Sequence, residues 1–207
     1  MKKQVEKNAY NFKKYCDIDR WNSYWHQIKE VLDLKPNSVL EIGIGDKVLG
    51  GYLKNNTGIN YQSLDIAEDL QPDILGNVEN LPFLRPSFDI VCAFEILEHL
   101  PFNKFNTTLK ELHRVTNKYV IISLPRWGRY FSIELRLPGL KKIKWHYKAN
   151  LFPIKHEFNG QHYWEIGKKK YPLKLIKKAI KQAGFGIVKD YVVFESPYHH
   201  FFILVKQ

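Results

Sequence analysis

Short apolar runs alternate with amphipathic stretches along most of the chain. Residues 38–44, 60–66, 73–75, 88–94 and 118–124 have the length and composition of buried strands. Between the last two, Phe105, Leu109, Leu112 and Val115 share one helical face over residues 103–116, with Asn103 placed to cap it. Trp21, Tyr24, Trp25, Ile28, Val31 and Leu32 keep helical spacing over residues 17–34, and Pro36 forbids continuation. Later, Pro172 opens a helix that turns Leu173, Ile176, Ile180 and Ala183 inward and lysines outward, and Gly184 stops it. Residues 185–194 and 199–205 follow as two strands around a Ser196-Pro197 turn, hence an antiparallel pair.

Apolar strands separated by helices imply a parallel sheet, because parallel neighbours need a crossover and the crossover helix covers the sheet. The pattern predicts a three-layer α/β/α sandwich with a mostly parallel seven-stranded sheet and an antiparallel C-terminal strand pair. To this it adds an N-terminal helix (17–35) and an insertion (126–167) between the half spanning 38–125 and the closing helix and strand pair (171–207). The insertion follows the fifth strand, is interrupted by Pro138 and Pro153, and carries Trp127, Tyr130, Trp145, Tyr147, His162, Tyr163 and Trp164. For most of these aromatic residues the expected role is the core of a small cap.

Composition sets bounds on this picture. With 207 residues and 44% hydrophobic content, one domain with one core is expected. There is no run of 18 apolar residues, and the first six residues lack the apolar stretch of a signal peptide, so no transmembrane segment and a cytoplasmic location are expected. Cys92 sits in an apolar run and reads as a small buried hydrophobe; Cys16 is the only other cysteine. The net charge of +11 is unevenly placed: residues 1–125 hold 15 Lys/Arg against 16 Asp/Glu, and residues 126–207 hold 17 against 5. Such a surface suits a phosphorylated, polyanionic or membrane-interface substrate, or serves only solubility.

The chemistry concentrates at Glu41-Ile42-Gly43-Ile44-Gly45-Asp46, where an apolar strand runs into a glycine turn and a helix. Glycines there permit a sharp turn and close ligand approach, and the helix start offers free N–H groups. A dinucleotide fingerprint needs a further glycine where Val48 stands, which disfavours NAD. Asp65 ends the second strand, where a carboxylate can take both hydroxyls of a ribose.

From residue 38 to 125 the chain resembles the class I, Rossmann-like S-adenosylmethionine-dependent methyltransferases, specifically the type 11 and type 23 methyltransferase domains. The resemblance rests on Glu41-x-Gly43-x-Gly45, Asp65, Asp73-x-x-Gly76-Asn77-x-x-x-Leu81-Pro82-Phe83, and Phe88-Asp89-Ile90-Val91 leading to Glu95-x-x-Glu98-His99. It implies S-adenosyl-L-methionine as cofactor, with Glu41, Gly43, Gly45, Asp65, Ile66, Asn77, Val78 and Phe94 binding it. Asp65 would bind ribose, and Asn77 with Val78 would read adenine. The chain departs from the family at Lys47, which replaces a third glycine, and at Asn77, which replaces an aspartate.

Methyl transfer from a sulfonium needs positioning above all, and a base only when the acceptor loses a proton. Glu95, Glu98 and His99 are the catalytic candidates because the fourth strand opens into the cleft there. Their i, i+3, i+4 spacing places them on one face of a short helix, and His156 or His162 could complete a metal set similar to that of the metal-dependent RNA 3′-end 2′-O-methyltransferases. No dedicated metal ligand is assigned, because the same Glu-x-x-Glu-His occurs where no metal is used. The expected acceptor is a small or carrier-linked molecule, anionic or phosphorylated. A nucleic-acid (RNA) methyltransferase acting through the basic C-terminal region, and a non-catalytic binding protein that keeps the fold, are the alternatives.

Overall fold

The computed structural model describes residues 5, 7–140, 142–150 and 152–207. In chain order the elements are α1 (Phe12–Tyr15), α2 (Ile18–Asp33), β1 (Ser38–Ile42), α3 (Val48–Asn56), β2 (Asn60–Asp65), β3 (Ile74–Leu75), β4 (Phe88–Phe94), α4 (Phe102–Val115), β5 (Thr116–Pro125), β6 (Arg129–Leu135), β7 (Ile143–Ala149), α5 (Leu173–Gln182), β8 (Phe185–Val192) and β9 (His199–Lys206). Seven of the strands form one sheet in the order β3-β2-β1-β4-β5-β9-β8. Only β9 runs against its neighbours.

Period-two alternation sends successive residues of each central strand to opposite faces. Val39, Ile90, Ile121 and Ile203 join Leu49 and Leu53 of α3 and Val31 of α2 in one apolar cluster. Leu40, Val91, Ile122 and Leu204 join Phe105, Leu109 and Leu112 of α4 and Ile176 and Ile180 of α5 in the other. Both faces are thus covered, giving the three layers expected of continuous apolar strands.

Asp17 caps α2, its Oδ1 accepting from the Arg20 N–H at 2.8 Å. Asn103 does not cap α4: that helix starts one residue earlier, with Pro101 at the cap position and no side-chain cap. Proline fixes the incoming backbone where the helix begins, so the polar cap is dispensable.

The expected cap core is absent from most of the insertion. Trp164 alone of its named aromatics is fully buried, donating its indole N–H to the Leu100 carbonyl at 3.0 Å. Tyr130, Trp145 and Tyr147 are exposed on a two-stranded ribbon of β6 and β7. An isolated pair of strands has no second layer to enclose a core. Its signal was present as strict alternation on either side of Pro138-Gly139. Among the described residues, no helix is long and apolar enough to cross a membrane.

Candidate functional site

β1 pairs with β2 on one side and β4 on the other, so strand order reverses between β1 and β4. Loops leaving these strands part at that point and leave a crevice beyond their C-terminal ends. A cavity of about 400 Å³ occupies it. All eight residues expected to bind the cofactor, Glu41, Gly43, Gly45, Asp65, Ile66, Asn77, Val78 and Phe94, line this one cavity.

The glycine turn is dictated by space and by backbone angle. Gly43 has φ 77°, and a Cβ there would stand 2.0 Å from the Ile96 side chain. Lys47, at the third glycine position of the resemblance, also lies in the left-handed region at φ 66°. That region costs a non-glycine residue roughly 1 kcal/mol, which explains the glycine preference at this step. Asp65 is buried and already organised: Oδ2 accepts from the Ile44 N–H at 2.9 Å and Oδ1 from the Ala67 N–H at 2.8 Å. Asn77 lines the cavity while its Oδ1 accepts from the Glu79 N–H at 3.0 Å, an Asx-turn. Glu41 is buried and accepts from the Tyr61 hydroxyl. Burial pushes its carboxyl up to about 8.

The facing wall comes largely from residues the sequence did not single out. Tyr10, Tyr15, Arg20 and Tyr24 reach the cavity from the N-terminal segment, and Tyr198 and His199 from the start of β9. The N-terminal segment is tied to the glycine turn through Asp46, which accepts from the Tyr24 hydroxyl at 2.6 Å and the Cys16 thiol at 3.3 Å. Arg20 lies over the Tyr15 ring at 3.9 Å, with its Nε buried and without a hydrogen-bond partner. His199 is held through Nδ1 to the Ser23 hydroxyl at 2.7 Å, and its Nε2 lies 3.8 Å from Glu95. Burial first, then Arg20, keeps the His199 imidazole neutral, down to about 3, so this approach is not an ion pair. Nothing in the amphipathic pattern of α2 distinguishes Arg20 from a packing residue.

The three catalytic candidates do not share one helical face. Glu95 sits outside the turn with φ 52°, and Leu97–His99 form a single 3₁₀ turn. Glu95 and His99 line the cavity, whereas Glu98 is wholly buried behind it. The short turn lacks the 3.6-residue period on which the expectation rested. Burial raises Glu95 to about 8, opposed by the Ser123 hydroxyl and by Arg20. Glu98 is raised well above the carboxylate range by burial and by Glu95, and neither of its oxygens has a hydrogen-bond partner. His99 is lowered to about 4 by burial and by His162. Glu98, His99 and His162 bring one ligand atom each within 4.8 Å of one another, a grouping able to hold a metal ion. Among the expected metal ligands, Glu95 and His156 lie outside that group; the His156 Nε2 is engaged with the His162 carbonyl at 2.9 Å.

A protein-family model described as a methyltransferase domain matches residues 40–123. No curated protein matches the chain. Among solved structures, an S-adenosylmethionine-dependent methyltransferase from Clostridium acetobutylicum is 9% identical, with 96% of this chain and 95% of that chain covered at a TM-score of 0.60. A glycopeptide N-methyltransferase in complex with S-adenosyl-L-homocysteine is 10% identical, with coverage of 90% and 89% and a TM-score of 0.59. The 1,6-didemethyltoxoflavin N1-methyltransferase of Burkholderia thailandensis, with 1,6-didemethyltoxoflavin and S-adenosylhomocysteine bound, is 14% identical, with coverage of 97% and 84% and a TM-score of 0.62. At such identities the structural likeness is one of fold, and the architecture here is the Rossmann-like one.

The buried carboxyl at Glu95 makes stability pH-dependent in a defined sense. Its folded value, about 8, lies above the ordinary 4.5, so its contribution is fully present below pH 4.5 and is lost as pH rises through 8. Glu95→Gln removes that loss. Relative to the wild type, the variant is expected to gain on the order of 1–3 kcal/mol between pH 5 and pH 8.5 in urea unfolding. An equal difference at both pH values contradicts the assignment.

Proposed function

We propose that this S-adenosylmethionine-dependent methyltransferase holds its donor along the wall from Glu41 to Phe94 and methylates a small or carrier-linked acceptor seated against the facing wall. The observation carrying this reading is the convergence of all eight expected donor-site residues on one cavity whose other side is polar and titratable. A volume of about 400 Å³ suits a nucleoside donor with a small acceptor group. On this reading Asp65 receives the ribose hydroxyls with the lone pairs its two backbone contacts leave free. Gly43 and Gly45 would hold the methionine part, and Asn77 with Val78 would hold the adenine.

The transfer is an in-line displacement: the acceptor's lone pair forms the new bond to the methyl carbon, and the carbon–sulfur bond breaks to leave a neutral thioether. Charge is already on the donor, so alignment supplies most of the acceleration. Where the acceptor is a hydroxyl or amine, its proton must leave. Glu95 takes a proton only above about pH 8, whereas His99 and His199 remain neutral and accept hydrogen bonds at neutral pH. Arg20 favours an acceptor with an anionic group, because it presents guanidinium donors to the cavity and its buried Nε has no partner. The 1,6-didemethyltoxoflavin bound in the Burkholderia thailandensis N1-methyltransferase supports the same size class here.

A second reading, in which a divalent cation assists, is favoured by one observation. Glu98 is wholly buried with both oxygens unpartnered, beside His99 and His162. Calorimetric titration of the chelator-treated protein with Mn²⁺ is expected to show binding that His162→Ala removes. Absence of heat up to millimolar Mn²⁺ rules this reading out.

The donor assignment is tested by thermal shift. S-adenosylhomocysteine well above micromolar concentration is expected to raise the wild-type melting midpoint, because it binds the folded state alone. Asp65→Asn, which offers one acceptor oxygen where two backbone N–H groups now bind, is expected to lower the unliganded midpoint and, with the fold verified by circular dichroism, to lose most of that shift. A full shift in the variant contradicts the assignment.

A further inference from the structure

The β6–β7 ribbon is turned inside out. In its register Phe131 faces Tyr147, Ile133 faces Trp145 and Leu135 faces Ile143, so these six side chains share one face of the ribbon. Every one of them is between 46% and 60% exposed. The opposite face, where Ser132 meets His146 and Glu134 meets Lys144, is polar and is the face turned to the body. There Lys148 donates to the carbonyls of Arg126 and Pro197, Lys144 pairs with Glu195, and the His146 ring packs on Phe194 at 5.9 Å. Burial of apolar area alone would favour the reverse orientation, so an apolar face held outward by these contacts marks an interaction surface.

We propose that this face docks on the interfacial layer of an anionic lipid bilayer. Three features select that occupant. Residues 126–150 contain seven basic residues and one acidic residue, Glu134, and the wider excess of the C-terminal part has the same sign. Arg129, Arg136 and Lys142 are exposed around the apolar face, the arrangement by which basic side chains meet lipid headgroups while apolar ones enter the acyl boundary. Trp145 and Tyr147 are the residue types that settle at headgroup depth, and Leu137 and Leu140 stand exposed at the ribbon tip, as a wedge entering the layer requires. A second copy of the chain would bring an equally basic ribbon against this one, and like charges disfavour that contact. The ribbon is also fastened to the cavity wall, since the Pro197 carbonyl that holds Lys148 immediately precedes Tyr198.

The test is co-sedimentation of the full chain with vesicles. Vesicles of phosphatidylglycerol with phosphatidylcholine are expected to retain the wild type at low salt, with retention weakened by high salt and small on phosphatidylcholine alone. Trp145→Ser combined with Phe131→Ser is expected to weaken retention at least about tenfold. Both positions are exposed, and an unchanged melting midpoint verifies the fold. Separately, Leu137→Ser with Leu140→Ser at the tip is expected to weaken it in the same direction. The proposal is overturned if the wild type stays in the supernatant with anionic vesicles at low salt, or if both double variants sediment as the wild type does. It is also overturned if light scattering shows a dimer that Trp145→Ser with Phe131→Ser dissolves, which would give the face to a second copy. These readouts use no methyl acceptor, so they stand apart from the assignment of the cavity.

Discussion

The end of β2 is the point on which the cavity depends. Two residues there, Leu64 and Asp65, receive the N–H groups of three separate segments. The Leu64 carbonyl takes Gly43 at 2.8 Å, the Asp65 carbonyl takes Gly76 at 2.9 Å, and the Asp65 carboxylate takes Ile44 and Ala67. The glycine turn, the exit from β2 and the segment leading to Asn77 are thereby fixed relative to one another. A buried carboxylate that satisfies backbone donors on two loops is costly to replace, because each orphaned N–H would be left in a dry environment.

The same geometry separates two kinds of chemistry across the cavity. One wall is made by the strand ends, with backbone groups and the acidic side chains of Glu41, Asp46 and Asp65. The other is assembled from the N-terminal segment, the turn after β4 and the start of β9, and it carries Arg20, Glu95, His99 and His199. Carboxyls there are held up and imidazoles held down, so the neutral forms of both prevail near pH 7. The left-handed backbone at Glu95 places strain at the junction of the two walls, where functional sites often hold it.

Most of the wall from Glu41 to Phe94 was legible in the sequence because its residues sit at strand ends, and strand ends are marked by apolar runs. Gly43 and Asp65 fall in the closing residues of such runs, and Asn77 comes two residues after one. Of the facing wall, only Glu95 and His99 were legible. Arg20 lies in a helix whose visible pattern concerns packing alone, and His199 becomes a neighbour of Glu95 only because β9 inserts beside β5. Glu98 falls behind the cavity because a single 3₁₀ turn lacks helical spacing. The ribbon's alternation at residues 129–135 and 143–149 is plain in the sequence, but alternation alone does not tell which face meets the body and which meets solvent.

A donor occupying the wall around Asp65 is the premise of the proposed transfer. Hydrogen exchange of the wild type with and without S-adenosylhomocysteine measures this directly. Slowed exchange at the backbone amides of Gly43 to Asp46, Asp65 to Ala67 and Gly76 to Val78 is the expected result. No slowing at saturating ligand, or slowing confined to segments remote from these three, contradicts it.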